Sequence, residues 1–398
     1  MKAPAKLRTR VRAKVVRRKA PRHKVLRHKV LRRTPLRHKR LRTKAVRGIA
    51  NVRVRASVRN LAPYAAPEEG REGKLRLDFN ENTVGCSPAV LRALRRVTAE
   101  QLAIYPEYEK STLRLARSFG VRPTEMLLTN GVDDALRLLM ETFVEPGSTV
   151  LVPEPTFSMY RFFSQVAGAR VEVVRYDDQM RFPLDATLRA LKRSPRILFL
   201  SNPNNPTGTL LDLAALEQIL DAARRTLVLV DEAYFEFARV TALPWIRRRS
   251  NLVVSRTFSK APGLAAVRLG ALFAQDHLAD VMRRAFTPYP VNTLALVAAE
   301  AALGDQDFLR RYVREVLESR RELAQGLGKL GARVFPSGAN FVLADLGRGA
   351  SALVRRLARR GILLRDRASD FGRDGFVRIT AGTRAQTRKL LQAIEEDR

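Results

Sequence analysis

The sequence of 398 residues predicts an α/β protein with a mostly parallel mixed sheet covered by helices on both faces. From about residue 90, short apolar runs alternate with longer segments of helical spacing, a pattern typical of βαβ units. Several apolar runs end in polar residues or prolines, and ligands of such sheets bind at the carboxyl ends of the strands. The last ninety residues differ in pattern and predict a second, smaller α+β lobe.

The N-terminal segment is unusually basic. The first 60 residues hold 24 of the 74 lysines and arginines and no acidic residue, whereas the remaining 338 residues carry 50 basic and 39 acidic side chains. Leu26, Leu31, Leu36 and Leu41 recur every five residues, a period that matches neither a helix nor a strand. We predict that residues 1–56 form a basic, low-complexity arm that is disordered or weakly helical.

Several interpretations of this basic arm are open: nonspecific polyanion binding, organelle targeting, a DNA-binding module, or no specific role. A helix-turn-helix module needs an apolar core that the arm lacks. Transit peptides are usually rich in serine, and Ser57 is the only serine among the first 60 residues. Because the charge is concentrated in the arm, the rest of the chain has the composition of an ordinary globular protein.

The number of cysteines and the hydropathy of the sequence indicate the cellular compartment. The single cysteine, Cys86, excludes an internal disulfide framework and fits a reducing cytosol. No uninterrupted apolar run approaches the roughly 20 residues needed to cross a bilayer. We therefore expect a soluble, cytoplasmic protein, and we predict no metal site.

The alternating pattern gives specific strands and helices. The predicted strands of the main sheet are 148–155, 196–203, 226–233 and 251–259, and the predicted helices include 134–143 and 212–225. The C-terminal strands are 341–346, 361–366 and 376–380. We predict an N-terminal segment, 57–90, that joins a small domain of residues 301–398, and a large domain of residues 91–300. A cleft between two lobes is a natural place for a small-molecule site.

The predicted strand ends carry an amide, a carboxylate, a phenol, an amine, hydroxyls and a guanidinium. These groups lie in the segments SNPNNPTG (201–208), VDEAY (230–234) and SRTFSK (255–260) and at Arg268. Together they can hold a phosphorylated pyridine aldehyde. The amine bonds to the aldehyde, the carboxylate keeps the ring nitrogen protonated, and hydroxyls with an arginine bind the phosphate.

From about Val58 onwards, the sequence resembles the fold-type I pyridoxal-phosphate aminotransferases and, within them, the histidinol-phosphate aminotransferase family. Ten motifs in family order carry the resemblance. They are VRNLAPY (58–64), LDFNENTVG (77–85), YPEY (105–108), LTNGVDDAL (128–136), VPEPTFSMY (152–160), SNPNNPTG (201–208), VDEAYFEF (230–237), RTFSKAPGL (256–264), GILLRDR (361–367) and VRITAGT (377–383).

The resemblance implies pyridoxal 5′-phosphate as cofactor and a role for each matching residue. Lys260 would bond to the cofactor aldehyde and move a proton between the substrate Cα and C4′ of the cofactor. Asp231 would pair with the pyridine nitrogen, and Asn205 and Tyr234 with the phenolic oxygen. Phe157 would stack on the ring.

The resemblance also implies how the cofactor phosphate is bound. The backbone N–H groups of Val132 and Asp133 would open a helix and join Thr257, Ser259 and Arg268 around the phosphate.

For the substrate, the resemblance implies Arg378 and Arg365, which stands thirteen residues earlier. Two guanidinium groups suit a phosphate dianion better than a carboxylate alone. Tyr64 and Tyr105 match family tyrosines near the substrate phosphate and the cofactor, and the second is usually supplied by the partner subunit. A homodimer with shared active sites is thus implied.

The activity implied is transfer of an amino group from L-histidinol phosphate to 2-oxoglutarate, giving imidazole acetol phosphate and glutamate in histidine biosynthesis. Three alternatives share the scaffold: a threonine-phosphate decarboxylase, an aromatic or broad-range amino acid aminotransferase, and, more remotely, a cofactor-binding transcription regulator. The sequence departs from the family pattern at Thr83, Asp134, Pro262 and Ala266. None of these supplies a catalytic atom, but Pro262 and Ala266 shape the loop behind Lys260 and could alter substrate preference.

Overall fold

The computed structural model describes residues 52–59, 61–62 and 70–397. The predicted basic arm lies almost wholly outside the described residues, so its order and role stay predictions. The described residues form twelve strands: β1 Leu75–Leu77, β2 Met126–Thr129, β3 Thr149–Glu154, β4 Arg170–Arg175, β5 Ile197–Ser201, β6 Leu227–Asp231, β7 Leu252–Thr257, β8 Gly270–Ala274, β9 Arg333–Val334, β10 Phe341–Asp345, β11 Ile362–Asp366 and β12 Phe376–Thr380.

Helices connect these strands. The α-helices of the described residues are α1 Ala56–Arg59, α2 Pro88–Leu94, α3 Ala99–Ala103, α4 Tyr108–Phe119, α5 Gly131–Phe143, α6 Ser158–Ala167, α7 Leu184–Leu191, α8 Leu213–Ala222, α9 Phe235–Ala238, α10 Asp276–Arg284, α11 Thr293–Gly304, α12 Gln306–Lys329, α13 Ala350–Arg359, α14 Ala368–Phe371 and α15 Arg384–Glu395. Single 3₁₀ turns are Pro123–Glu125, Leu243–Arg247 and Ala265–Val267. No described helix combines the length and the apolar composition that crossing a bilayer requires.

Local sequence accounts for where several helices begin and end. Asp212 caps the N-terminus of α8, since its Oδ1 accepts a hydrogen bond of 2.8 Å from the backbone N–H of Ala215. Helix α15 begins with a capping box between Thr383 and Gln386. Gly120 caps the C-terminus of α4, and its φ of 71° lies in the left-handed region that favours glycine.

The larger sheet has seven strands in the order β2-β8-β7-β6-β5-β3-β4. Strand β8 runs antiparallel to both of its neighbours, and the pairs among β3, β4, β5, β6 and β7 are parallel. All four predicted strands of the main sheet are present, as β3, β5, β6 and β7. The sheet is therefore mixed but mostly parallel, as predicted.

Alternate residues of the central strands pack on opposite faces of this sheet. Ile197 and Phe199 of β5 belong to the apolar cluster that includes α5, α6 and α10. Leu198 and Leu200 belong to the cluster that includes α4, α8 and α11. Both faces are thus covered by helices, which explains why these strands read as continuous apolar runs.

The smaller sheet has five strands in the order β1-β11-β12-β10-β9. Strand β1 pairs in parallel with β11, so residues near the N-terminus of the described chain complete a sheet built otherwise from residues after 332. One face of this sheet packs on α12, α13 and α15. The domain boundaries at residues 56, 90 and 300 stay predictions.

Candidate active site

A cavity of about 340 Å³ lies where the carboxyl ends of the larger sheet's parallel strands meet residues of the smaller sheet. Twelve predicted site residues line it: Val132, Asp133, Phe157, Asn205, Asp231, Tyr234, Thr257, Ser259, Lys260, Arg268, Arg365 and Arg378.

Lys260 lies three residues after the end of β7, so the end of that strand places its amine in the cavity. Its Nζ donates a hydrogen bond of 2.9 Å to the carbonyl oxygen of Phe79. Burial, together with the positive charge of Arg378, lowers the pKa of Lys260 to about 8. An amine with this pKa has a sizeable neutral fraction near neutral pH and can act as a nucleophile.

Asp231 is the last residue of β6 and is buried. Its carboxylate accepts hydrogen bonds from Tyr160 Oη at 2.7 Å, Ser255 Oγ at 2.9 Å and the backbone N–H of Ala233 at 3.2 Å. Burial raises the pKa of Asp231, and these hydrogen bonds act in the opposite direction. A buried carboxylate on a cavity wall favours a ligand that presents a protonated nitrogen.

Tyr234 and Asn205 line the same cavity as this carboxylate. Asn80 Nδ2 donates to Tyr234 Oη at 3.0 Å, and burial raises the pKa of Tyr234, so its phenol stays protonated at neutral pH. Asn205 Oδ1 accepts from Arg378 Nη1 at 2.5 Å, which leaves the Asn205 amide nitrogen as a donor.

The start of α5 and Arg268 form an anion cradle. The N–H groups of a helix's first turn have no partner within the helix, so Val132 and Asp133 offer free donors. Gly131 has a φ of 76°, and a Cβ added there would lie 2.5 Å from Arg268 Nη2. The close approach of arginine and helix therefore requires glycine at this position. Arg268 Nη2 also lies 3.2 Å from Asp133 Oδ2.

Arg365 and Arg378 lie directly opposite each other on β11 and β12. Two like charges in this arrangement repel each other unless an anion lies between them. Burial, with contributions from the charges of Arg367 and Arg365, lowers the pKa of Arg378 to about 10. Its buried Nε has no hydrogen-bond partner among the described residues. This side of the cavity is therefore built to receive an anion.

Comparison with known proteins identifies the family. The family model for aminotransferase class I and II matches residues 72–394. A relative from Pseudomonas fluorescens named histidinol-phosphate aminotransferase 2 is 37% identical over 354 residues, which cover 85% of this chain and 95% of the relative. The chain belongs to the class I and II aminotransferases.

Solved structures agree with this aminotransferase fold. Histidinol-phosphate aminotransferase from Sinorhizobium meliloti, in complex with pyridoxal-5′-phosphate, has a TM-score of 0.75 and 29% identity, covering 81% of this chain and 90% of its own. L-threonine-O-3-phosphate decarboxylase from Porphyromonas gingivalis has a TM-score of 0.73 and 26% identity, covering 81% of this chain and 98% of its own. The fold-type I architecture predicted from the sequence is confirmed.

The cofactor of this aminotransferase is pyridoxal 5′-phosphate. The cavity fits that group on three counts. It offers a lysine whose pKa is lowered, a buried carboxylate at a strand end, and the glycine-dependent cradle between Arg268 and α5. These three match an aldehyde, a protonatable ring nitrogen and a phosphate, respectively.

Of the two predicted tyrosines, only Tyr105 lies within the described residues, and it does not line the cavity. Tyr105 is 72% exposed, and its ring stacks on Tyr289 with 4.3 Å between the ring centroids. It is not among the residues that line the cavity of its own aminotransferase chain. Tyr64 lies outside the described residues.

Sequence reasoning missed several residues that support the aminotransferase site. Tyr160 and Ser255 bind Asp231, and Asn80 binds Tyr234. All three lie inside motifs or strands that the sequence predicts, but no role was predicted for them. Arg71 and Arg367 also line the cavity, whereas the departures Thr83, Pro262 and Ala266 do not.

Proposed function

We propose that this aminotransferase transfers the amino group of L-histidinol phosphate to 2-oxoglutarate, giving imidazole acetol phosphate and glutamate in histidine biosynthesis. The observation that carries the proposal is the cross-strand pair of Arg365 and Arg378 on the cavity wall. Two guanidinium groups facing one space match a phosphate dianion. The names of the relatives at 33–37% identity support the same substrate.

Asp231, Asn205 and Tyr234 would hold the cofactor ring. Asp231 would pair with the protonated pyridine nitrogen, which compensates the cost of burying its carboxylate. The Asn205 amide nitrogen and the Tyr234 phenol would donate to the phenolic oxygen of the ring. Phe157, which lines the same cavity, would stack on the ring face.

The cofactor phosphate would bind in the cradle at the start of α5. The backbone N–H groups of Val132 and Asp133 would donate to it, together with Thr257, Ser259 and Arg268. The positive end of the helix dipole would add to the positive charge of Arg268 at the phosphate.

Lys260 would carry the proton transfer. When bound, pyridoxal 5′-phosphate supplies an electron sink for the electron pair left at the substrate Cα. Lys260 would bind the cofactor covalently at rest, and its released Nζ would remove the proton from Cα. A pKa of about 8 suits this task, since a general base works best when its pKa lies near the operating pH.

A threonine-phosphate decarboxylase is the second candidate, because a structural neighbour with a TM-score of 0.73 has that activity in its name. Its substrate also carries a phosphate, so the arginine pair by itself does not distinguish the two reactions. The reactions differ in the bond broken at Cα: the decarboxylase releases CO₂, whereas the aminotransferase releases a proton.

We also propose a homodimer in which Tyr105 of one subunit reaches the cavity of the other. The exposed apolar side chains Leu102, Ile104, Tyr105 and Tyr289 support this, because monomeric proteins rarely leave such a cluster uncovered. Tyr64 would lie near the substrate phosphate.

We propose a cytoplasmic enzyme whose basic arm, residues 1–56, binds polyanions without sequence specificity.

The test of the proposed function is a half-reaction without 2-oxoglutarate. The purified enzyme with bound cofactor is mixed separately with L-histidinol phosphate, threonine phosphate and phenylalanine, and conversion to the pyridoxamine form is followed by absorbance. We expect the fastest conversion with histidinol phosphate. Faster conversion by phenylalanine would contradict this substrate, and CO₂ release from threonine phosphate would favour the decarboxylase.

A further inference from the structure

Two charged side chains outside the cavity, Glu232 and Arg256, belong to the same strand ends as the cofactor residues. Glu232 directly follows Asp231, and Arg256 lies between Ser255 and Thr257. Consecutive side chains of a strand point to opposite faces, so this pair lies behind the wall that Asp231 and Thr257 form. Neither Glu232 nor Arg256 lines the cavity.

The pair is buried and joined by several hydrogen bonds. The side chains of Arg256 and Glu232 are 9% and 1% exposed. Arg256 Nε and Nη2 donate to Glu232 Oε2 at 3.0 and 2.9 Å. Glu232 Oε1 also accepts from the backbone N–H of Ala242 at 2.6 Å, and Thr241 Oγ1 donates to both carboxylate oxygens.

The same arginine contacts the segment that carries Tyr234. The Cζ atom of Arg256 lies 3.5 Å from the ring centroid of Phe235, the residue after Tyr234. One ion pair thus joins the ends of β6 and β7 to the turn that holds the phenol. A second link is the backbone bond of 2.9 Å from the N–H of Glu232 to the carbonyl oxygen of Ser255.

We propose that Glu232 and Arg256 are a positioning pair that fixes Asp231 and Tyr234 against the cofactor ring; the proposal rests on the cofactor-binding roles given above. A buried ion pair is a poor way to gain stability, since apolar side chains of similar volume often stabilise a protein as well or better. It does fix geometry in several directions at once. Displacements of about 1 Å at a reacting centre are costly, which gives such rigidity a purpose.

The test uses Glu232→Gln, which removes the charge, and Arg256→Lys, which keeps the charge but loses the two-pronged contact and the stacking on Phe235. Two quantities are measured without substrate: the affinity of the apoprotein for pyridoxal 5′-phosphate, and the pH midpoint of the bound cofactor's absorbance change. We expect both variants to move the midpoint and to weaken cofactor binding by roughly tenfold.

The matched control is Glu125→Gln. Glu125 is another fully buried glutamate paired with arginines, Arg122 and Arg247, but it precedes β2 and so lies at the end of the sheet away from the cavity. We expect it to lower the unfolding temperature without changing the midpoint or the affinity.

Should Glu232→Gln and Arg256→Lys lower the unfolding temperature while both cofactor measurements keep wild-type values, the positioning role is wrong. Thr241→Val covers the case in which neither variant folds. It removes one hydroxyl from the network, and we expect a midpoint shift in the same direction; a folded Thr241→Val protein without a shift contradicts the proposal. Because no substrate is used, these outcomes are independent of which amine the enzyme takes, whereas failure of the wild type to bind the cofactor would refute the proposed function itself.

Discussion

Lys260 owes its reactivity to its neighbours. The chain contains 74 lysines and arginines, and charge alone does not distinguish this one. Its position after β7, its burial and the nearby charge of Arg378 lower its pKa, while the carbonyl oxygen of Phe79 holds its amine. At the residue scale, the chemistry therefore follows from where the strand ends.

The lowered pKa of Lys260 predicts how cofactor attachment depends on pH. Only the neutral amine attacks the aldehyde, so the rate at which apoprotein captures pyridoxal 5′-phosphate should rise with pH up to about 8 and then level off. Stopped-flow absorbance measures this rate. Arg378→Gln removes one charge that lowers the pKa of Lys260, so its midpoint should move to higher pH. A wild-type rate that keeps rising to pH 10 would show that the pKa of Lys260 is not lowered.

The close contact between Gly131 and Arg268 predicts that the phosphate cradle does not tolerate a larger residue at position 131. Gly131→Ala places a methyl group 2.5 Å from Arg268 Nη2, so the arginine must move and cofactor affinity should fall by tenfold or more, roughly the loss of one charged hydrogen bond. Gly147→Ala is the control. Its φ of 86° gives similar backbone strain, but its Cβ meets no atom within 4 Å. Equal cofactor affinity in both variants would refute the steric account; fluorescence titration measures it.

Residues singled out in the sequence line one cavity where polar chemistry and strand ends coincide, and their roles stay predictions. Asn205, Asp231 and Lys260 each stand at or just after a predicted strand. The sequence did not predict that Asn80 binds Tyr234, because the two residues are 154 positions apart and only the fold brings them together. Tyr105 does not line the cavity of its own chain, and its role in the site of a second chain stays a prediction.

At the scale of elements, the sheet explains the convergence of the site. Parallel strands β5, β6 and β7 end at the same edge, and each contributes cavity residues at or just beyond its last position. The smaller sheet adds Arg365 and Arg378 from two antiparallel strands. The site thus depends on both sheets. Strand β1, which precedes every strand of the larger sheet in the sequence, pairs with β11 of the smaller sheet.

Some elements were not predicted. Few polar or turn residues mark the ends of β8. Its antiparallel direction depends on the short connection from β7 rather than on its composition. Strand β2 is buried but has only four residues, and β4 is half-buried and interrupted by charged residues. The strongly apolar strands β5, β6 and β7 were predicted because both of their faces are covered by helices.

The buried ion pairs of Glu125, at the end of the sheet away from the cavity, predict how the free energy of unfolding depends on pH. Its hydrogen bond with Arg247 lowers the pKa of Glu125 to about 2 despite burial. A folded-state pKa below the unfolded value means that the stabilisation is present above about pH 4.5 and is lost as the pH falls towards 2. Glu125→Gln should therefore lower the free energy of unfolding by about 1–3 kcal/mol at pH 7 and by less at pH 3.

Denaturant unfolding measures this difference. Glu141→Gln is the control, because Glu141 pairs with Arg137 on an exposed helix face, where an ion pair contributes about 0.5 kcal/mol or less. If both substitutions had the same effect at pH 7, the buried carboxylate of Glu125 would not be the source of the stabilisation.

At the scale of the whole molecule, the basic arm and the catalytic body are expected to act separately. Ser57 Oγ donates to the carbonyl oxygen of Val166 at 3.0 Å, so a deletion that ends at residue 55 keeps this contact with the body. Deleting residues 1–55 should leave turnover within about twofold of the full chain and should lower the salt concentration needed to elute the protein from a heparin column. A large loss of turnover would assign the arm a role in catalysis, and unchanged retention would remove its polyanion role.

The most direct test of the central claim is the yield of glutamate from L-histidinol phosphate and 2-oxoglutarate, measured for the wild type and for Lys260→Ala. We expect many equivalents of glutamate per wild-type subunit and a rate lower by a factor on the order of 10²–10⁴ for Lys260→Ala. Replacing the exposed Lys192 by alanine should change nothing. No glutamate from the wild type, or a wild-type rate from Lys260→Ala, would contradict the account.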